Sequence, residues 1–423
     1  MELYDTFALL LVVAALFSYL NHRFLRLPAT IGIMVLALLF SLAAVGLGKL
    51  EVSWVLVVRD MLRNLDFHAL VMQVMLSFLL FAGAIHVDVR ALGNQQLPVA
   101  ALASAGILLS TFLIGTALYY LLTLFGLVPA YLHCLLFGAL ISPTDPIAVL
   151  GILKEARVNK DLEIKIVGES LFNDGTTVVL FVSLLQIAEA GREAATFSVI
   201  SKLFLREVFG GIILGIALGY VTYWALRTID NYKVEVLITL ALVMGGTALA
   251  ASLHTSAPLA IVVAGLIVGA KARQMGMSDE TRDYLDKFWE LLDEVLNAVL
   301  FVLIGLEMLV LHITRTTLII GVITIAVVLV GRLISIAIPL GMLRRWYHFD
   351  RPTLRILTWG GLRGGISVAL ALSLPETMPR DLIVGITYIV VIFSIIVQGL
   401  TLGPLVKRLG LSMPASDQPE TGH

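Results

Sequence analysis

Leu135-Leu-Phe-Gly-Ala-Leu-Ile-Ser-Pro-Thr-Asp-Pro-Ile-Ala-Val-Leu150 is an apolar run of helical length with a polar break in it. Pro143 and Pro146 each lack a backbone donor and crowd the preceding turn, so a helix through this run must unwind between them. Thr144 and Asp145 lie at the break. A carboxylate at the middle of an apolar run needs a partner or a wet cavity, since leaving it in lipid costs at least about 2.5–3.5 kcal/mol. A second break of different chemistry lies far along the chain. Trp359-Gly-Gly-Leu-Arg-Gly-Gly365 sets four glycines around one arginine, again unfavourable for a continuous helix.

The rest of the chain explains why such runs matter. Of 423 residues, 59% are hydrophobic and 14% charged, with a mean hydropathy of +0.97. Soluble globular chains carry about 25% charged residues, so this chain cannot cover a water-exposed surface. Soluble enzymes, nucleic-acid binders and disordered scaffolds are excluded, and a net charge of −1 argues separately against a nucleic-acid partner. The solvent partner is the lipid bilayer. One cysteine, Cys134, allows neither an internal disulfide nor a cysteine metal cluster. The start, Met1 to Asp5, has no basic region and does not read as a cleavable signal.

A membrane-spanning helix needs about 20 mostly apolar residues. On that measure about thirteen spans are expected: 6–21, 28–47, 68–86, 97–125, 131–152, 163–189, 205–227, 234–253, 258–271, 284–311, 317–343, 353–374 and 382–406. The fold class is therefore an all-α polytopic membrane protein. Segment 52–66 reads as an amphipathic surface piece. With the N-terminus outside and the C-terminus inside, 19 of the 29 basic residues fall in inside loops and 8 in outside loops. Arg332 and Arg363 remain within spans. That asymmetry satisfies the positive-inside rule and predicts an integral membrane protein with a cytoplasmic C-terminus.

The breaks fall in the fifth and twelfth spans, at the same position within spans 1–6 and 8–13. An odd offset gives the second half the opposite topology. Two inverted six-helix repeats with crossed, discontinuous helices 5 and 12 point to an ion site of a secondary transporter. Proline and glycine are common in membrane helices, but matched positions favour transport.

The sixth span adds Gly168-Glu-Ser-Leu-Phe-Asn-Asp-Gly175. Ser170 and Asp174 form an i, i+4 pair, while Glu169 and Asn173 share a neighbouring stripe. Arg363 is the expected partner of Glu169, making a structural ion pair that leaves Asp174 without a dedicated cation. A lone carboxylate in a semi-dry cavity is satisfied either by a proton or by a small cation, not by both. Oxygen ligands suit a hard cation such as Na+ or Li+, and Thr144 can complete the shell from the fifth span. Asp145 is expected to face the positive N-terminal ends of the half-helices.

Ser142-Pro-Thr-Asp-Pro146, Glu169-Ser-Leu-Phe-Asn-Asp174 and Gly361-Leu-Arg-Gly-Gly365 together resemble the monovalent cation:proton antiporter family, in its NhaP-type branch related to animal sodium/proton exchangers. The resemblance implies an antiporter, not an enzyme, that exchanges Na+ or Li+ for H+ and needs no cofactor. It further implies a homodimer in a bacterial-type inner membrane. Residues 1–95 and 233–315 would form the dimer-interface domain. Residues 96–190 and 316–410 would form the mobile core, with 191–232 as a linker helix and 411–423 as a disordered tail. Thr144, Ser170 and Asp174 match the family's ion ligands, Asp145 and Asn173 its helix-crossing polar residues, and Glu169 with Arg363 its core ion pair. An Asn-Asp pair in place of two aspartates resembles the electroneutral branch. After Leu79-Leu-Phe81 many relatives carry a glutamate where this chain has Ala82, with His86 and Asp88 following, which leaves K+/H+ exchange as the competing reading.

Asp286, Glu290, Asp293 and Glu294 make an acidic stripe on the tenth span. It reads as a cytoplasmic funnel for cations or as an ordinary solvated face. Gly210, Gly211, Gly215 and Gly219 predict close helix packing in the seventh span. His254 and Cys134 are expected to be packed, and Glu307 and Arg332 to pack between spans. A gated channel would need a filter-like run, and none is found. An intramembrane enzyme would need paired catalytic groups, for which only Asp145 and Asp174 offer themselves.

Overall fold

A computed structural model of the chain describes residues 3–48, 69–87, 95–156, 160–190, 197–275, 278–311, 313–343 and 351–411, together with residues 89, 93, 158 and 345. Segment 52–66, Asp88 and the tail 413–423 lie outside the described residues. Every one of the expected ranges overlaps helix. In chain order these are α1 (Leu3–Leu20), α2 (Ala29–Gly48), α3 (Leu76–Ile85), α4 (Gln96–Leu124), α5 (Tyr131–Leu140), α6 (Pro146–Ala156), α7 (Lys160–Ala190) and α8 (Phe197–Arg227). There follow α9 (Tyr232–Ser252), α10 (Ala257–Met275), α11 (Asp279–Glu307), α12 (Arg315–Leu343), α13 (Arg351–Trp359), α14 (Gly365–Leu372) and α15 (Arg380–Arg408). Among the described residues, seven helices are long and apolar enough to cross a membrane unaided.

Local chemistry sets several boundaries. Asn231 caps α9 by accepting the Lys233 N–H at 3.1 Å, and Ser278 caps α11 by accepting the Thr281 N–H at 3.3 Å. His254 is not packed as expected. It is exposed and takes a left-handed φ of 51° in the turn between α9 and α10, because two antiparallel helices leave room there only for a tight reversal.

A large apolar cluster joins α1, α2, α5, α6, α11, α12, α14 and α15, and Cys134 is packed inside it. A second surrounds Trp289 of α11, with Phe81 and Ala82 of α3 against it. The outside is apolar too: Leu11, Val12 and Leu16 on α1, Ile213 and Trp224 on α8, and Leu237 and Met244 on α9 are exposed. Bare aliphatic faces on several helices are what an integral membrane protein presents to lipid. The glycine stripe of α8 lies against α10, where a Cβ on Gly211 or Gly215 would run into Ser256 or Ala260 and Val263.

Candidate functional site: a polar pocket where two broken helices cross

Both breaks fall at the predicted places. The chain leaves helix after Leu140 and re-enters it at Pro146, and leaves again after Trp359 to re-enter at Gly365. The two non-helical strands of backbone touch. The Asp145 N–H donates to the Leu362 carbonyl at 2.7 Å. Arg363 is 1% exposed, and its guanidinium donates to the carbonyls of Ser142 and Pro143, the latter at 2.8 Å. These carbonyls are orphaned by the end of α5, so a buried cation there does the work of the missing helical turn.

The second break is held from α15 by one widened turn, Ser394–Gln398. Ser394 Oγ accepts the Arg363 N–H at 2.9 Å, and Gln398 Nε2 donates to the last carbonyl of α13, that of Trp359, at 2.9 Å. Glycine is required where the strands cross. A Cβ on Gly361 would lie 2.8 Å from Arg332 Nε and 3.2 Å from Thr144 Cγ2, and one on Gly364 would strike the Asp145 carboxylate. Asp145 therefore sits at the N-terminus of α14, whose unpaired N–H groups carry partial positive charge.

From α7, three residues meet this crossing. Thr144 Oγ1 lies 2.7 Å from Ser170 Oγ, and Asn173 Nδ2 donates to the same Thr144 oxygen at 2.9 Å. The Thr144 N–H points at Asn173 Oδ1, 3.4 Å away. Asp174 follows, 2% exposed, and its Oδ1 has no hydrogen-bond partner. A cavity of about 40 Å³ opens beside it, lined by Thr144, Asp145, Asp174, Asn297 and Ser367 among apolar neighbours. That volume holds one or two water-sized occupants. Thr144, Asp145, Ser170, Asn173 and Asp174 thus come together, but Ser170 turns its hydroxyl to Thr144 and is absent from the cavity wall.

Glu169 does not pair with Arg363. Its two carboxylate oxygens receive the two terminal nitrogens of Arg332 from α12, with Nη2 to Oε2 at 2.9 Å, and the pair is almost fully buried. Arg332 Nη2 also reaches the Leu357 carbonyl at 3.3 Å. The physical reason is that Arg363 is consumed by the Ser142 and Pro143 carbonyls of the first break, while the missing side chain at Gly361 admits the Arg332 guanidinium. A signal existed in the sequence, since Arg332 was the other arginine within a span, but periodicity could not choose between them.

The acidic stripe is divided. Glu290 and Glu294 are exposed, Asp286 lies 3.8 Å from His86 Nε2, and Asp293 has a buried Oδ1 without a hydrogen-bond partner. One turn further, Asn297 donates to the Asp293 carbonyl at 2.8 Å and lines the cavity. Ala82 is buried in the Trp289 cluster, whereas Gly83 lines the cavity. His86 bonds the Ala82 carbonyl at 2.6 Å and does not line it. Sequence reasoning missed Asn297 and Ser367. Ser367 was findable as a hydroxyl just after the second break, and Asn297 as the next turn of the acidic stripe.

Residues 11–408 match the family described as "Sodium/hydrogen exchanger, transmembrane". The chain is 52% identical to the Na(+)/H(+) antiporter NhaP of Pseudomonas aeruginosa, over 97% of this chain and 98% of that one. It is 38% identical to the Na(+)/H(+) antiporter NhaH of Halobacillus dabanensis, over 82% and 84%. Its fold resembles that of the sodium proton antiporter MjNhaP1 from Methanocaldococcus jannaschii at pH 8, with a TM-score of 0.75, 18% identity, and 97% and 99% of the two chains covered.

Proposed function

The chain belongs to the family of transmembrane sodium/hydrogen exchangers, and from that premise we propose that it is a secondary active antiporter exchanging Na+ for H+, with the two competing for Asp174. The observation that carries this reading is the buried, unpartnered Asp174 Oδ1 on a small cavity at the helix crossing. A carboxylate out of bulk water is unfavourable as a bare anion, so it takes either a proton or a cation. Thr144 supplies a neutral oxygen for the cation. Binding one ion releases the other, and coupling needs no further titrating group.

Charge counting supports one-for-one exchange. Around the crossing, Glu169 and Asp145 are matched in number by Arg332 and Arg363, and Asn173 cannot titrate. Asp174 is left as the single exchanging carboxylate, so loaded and protonated sites carry equal charge. Access alternates as the core carrying both broken segments shifts against the rest, and the two halves are related as inverted repeats. The protein works as a homodimer in a bacterial-type inner membrane, N-terminus outside and C-terminus in the cytoplasm. Residues 1–95 and 233–315 form its interface, and the stripe of Asp286, Glu290, Asp293 and Glu294 draws cations toward the cavity. Li+ shares the site.

The test is exchange in proteoliposomes with Na+, Li+ and K+ gradients imposed in turn and internal pH recorded. Na+ and Li+ should move protons, and Asp174→Asn should fold, insert and move none. Coupled exchange by well-folded Asp174→Asn protein would sink the assignment. Proton movement driven by K+ alone would replace the cation.

A further inference from the structure

We propose that Ser367 of α14 is a ligand of the transported cation, so that the site is built from the second broken segment as well as the first. Several buried hydroxyls on helices of this chain are satisfied by the carbonyl four residues back, and Thr111 and Thr177, which have no partner, do not line the cavity beside Asp174. Ser183 bonds Val179, Thr324 bonds Ile320 and Thr387 bonds Ile383, at 2.8, 2.7 and 2.7 Å. Ser367 has no such bond, although it is 1% exposed and its Oγ is sealed from water. The cause is its place as the third residue of α14. The carbonyl four residues back belongs to Arg363, in the non-helical crossing, and is not aligned to receive it.

A buried hydroxyl without a partner is costly, so its retention calls for an occupant of the space it faces. Ser367 lines the cavity beside Asp174, whose Oδ1 is also without a partner. Two buried residues, each carrying an unsatisfied oxygen, one anionic and one neutral, therefore line a single cavity of about 40 Å³. Hard cations take several oxygen ligands. Ser170 turns its hydroxyl to Thr144 at 2.7 Å and Asn173 donates to the same Thr144 oxygen, so of these three only Thr144 lines the cavity, with part of its oxygen's capacity already used. Ser367 supplies the oxygen those contacts withhold. Being neutral, it serves the cation and not the proton.

The inference rests on the reading of Asp174 as the exchange site, and the experiment separates the two. Wild-type protein that moves no protons against Na+ fails the exchange reading itself. With active wild type, Ser367→Ala should raise the KM for Na+ about tenfold, as expected for loss of one contact to a charged ion, leaving the maximum rate and the proton half-saturation unchanged. Ser367→Cys, similar in size but with a soft sulfur, should do the same. In purified protein, the Na+ concentration that gives half of the Na+-induced rise in Tm should shift equally, with the Na+-free Tm of Ser367→Ala no lower than that of wild type. An unchanged KM and an unchanged Na+ dependence of Tm would overturn the proposal. So would a fall in maximum rate at constant KM, which is the signature of a structural role.

Discussion

The two arginines within the membrane do different work. Arg332 neutralises Glu169 through a two-pronged contact, and Arg363 caps the orphaned end of α5. Breaking a buried ion pair on one side costs about 3–5 kcal/mol, because a bare charge stays behind. Glu169→Gln or Arg332→Met should therefore lower the Tm and the yield of folded protein. Reversal to Glu169→Arg with Arg332→Glu should recover part of the loss, while Glu169→Arg with Arg363→Glu should recover none. Recovery by the second reversal would show that the partners have been misassigned. At Asp174 the exclusion of proton by cation predicts a bell-shaped dependence of exchange on pH. At low pH the proton blocks cation entry, and at high pH no proton returns to displace the cation. A rate that rises steadily across the accessible range would contradict competition at one group.

At the scale of elements, the widened turn Ser394–Gln398 of α15 stands behind the second break. Such a turn re-aims side chains that a regular helix would direct elsewhere, and turns of this kind recur at functional sites. Here it delivers Ser394 to the Arg363 N–H and Gln398 to the end of α13. Ser394→Ala leaves the buried Arg363 N–H unpaired, at about 1–3 kcal/mol, and Gln398→Leu does the same to the part-buried Trp359 carbonyl at a smaller cost. Both should lower the Tm and slow exchange while leaving the KM for Na+ near wild type, since neither side chain touches the cavity. A selective rise in KM would place this turn in the ion site instead. Gly364 makes the complementary case: Gly364→Ala forces a methyl group onto the Asp145 carboxylate and should abolish transport more severely than it destabilises the fold.

Over the whole molecule, charge balance at the crossing predicts electroneutral exchange. In proteoliposomes with the membrane potential clamped, neither the rate nor the end point of Na+-driven proton movement should follow voltage. Rates that track it would implicate Asp145 or Asp293 as a second titrating group. How far the molecule was legible beforehand depended on what each feature needs. Composition and run length alone imply a membrane-embedded helical protein, because lipid admits no unpaired backbone and few charges. The breaks at Pro143–Pro146 and Gly360–Gly365 were legible because proline and glycine act on their own turn of helix, and helical spacing brought Ser170, Asn173 and Asp174 to one region. Which arginine serves Glu169, where Ser170 points, why Ala82 misses the cavity and which hydroxyl faces Asp174 were decided by tertiary structure alone. Each depends on packing between separate segments, where the missing side chain at Gly361 and the claim of the Ser142 and Pro143 carbonyls on Arg363 select among contacts that spacing along the chain leaves equivalent.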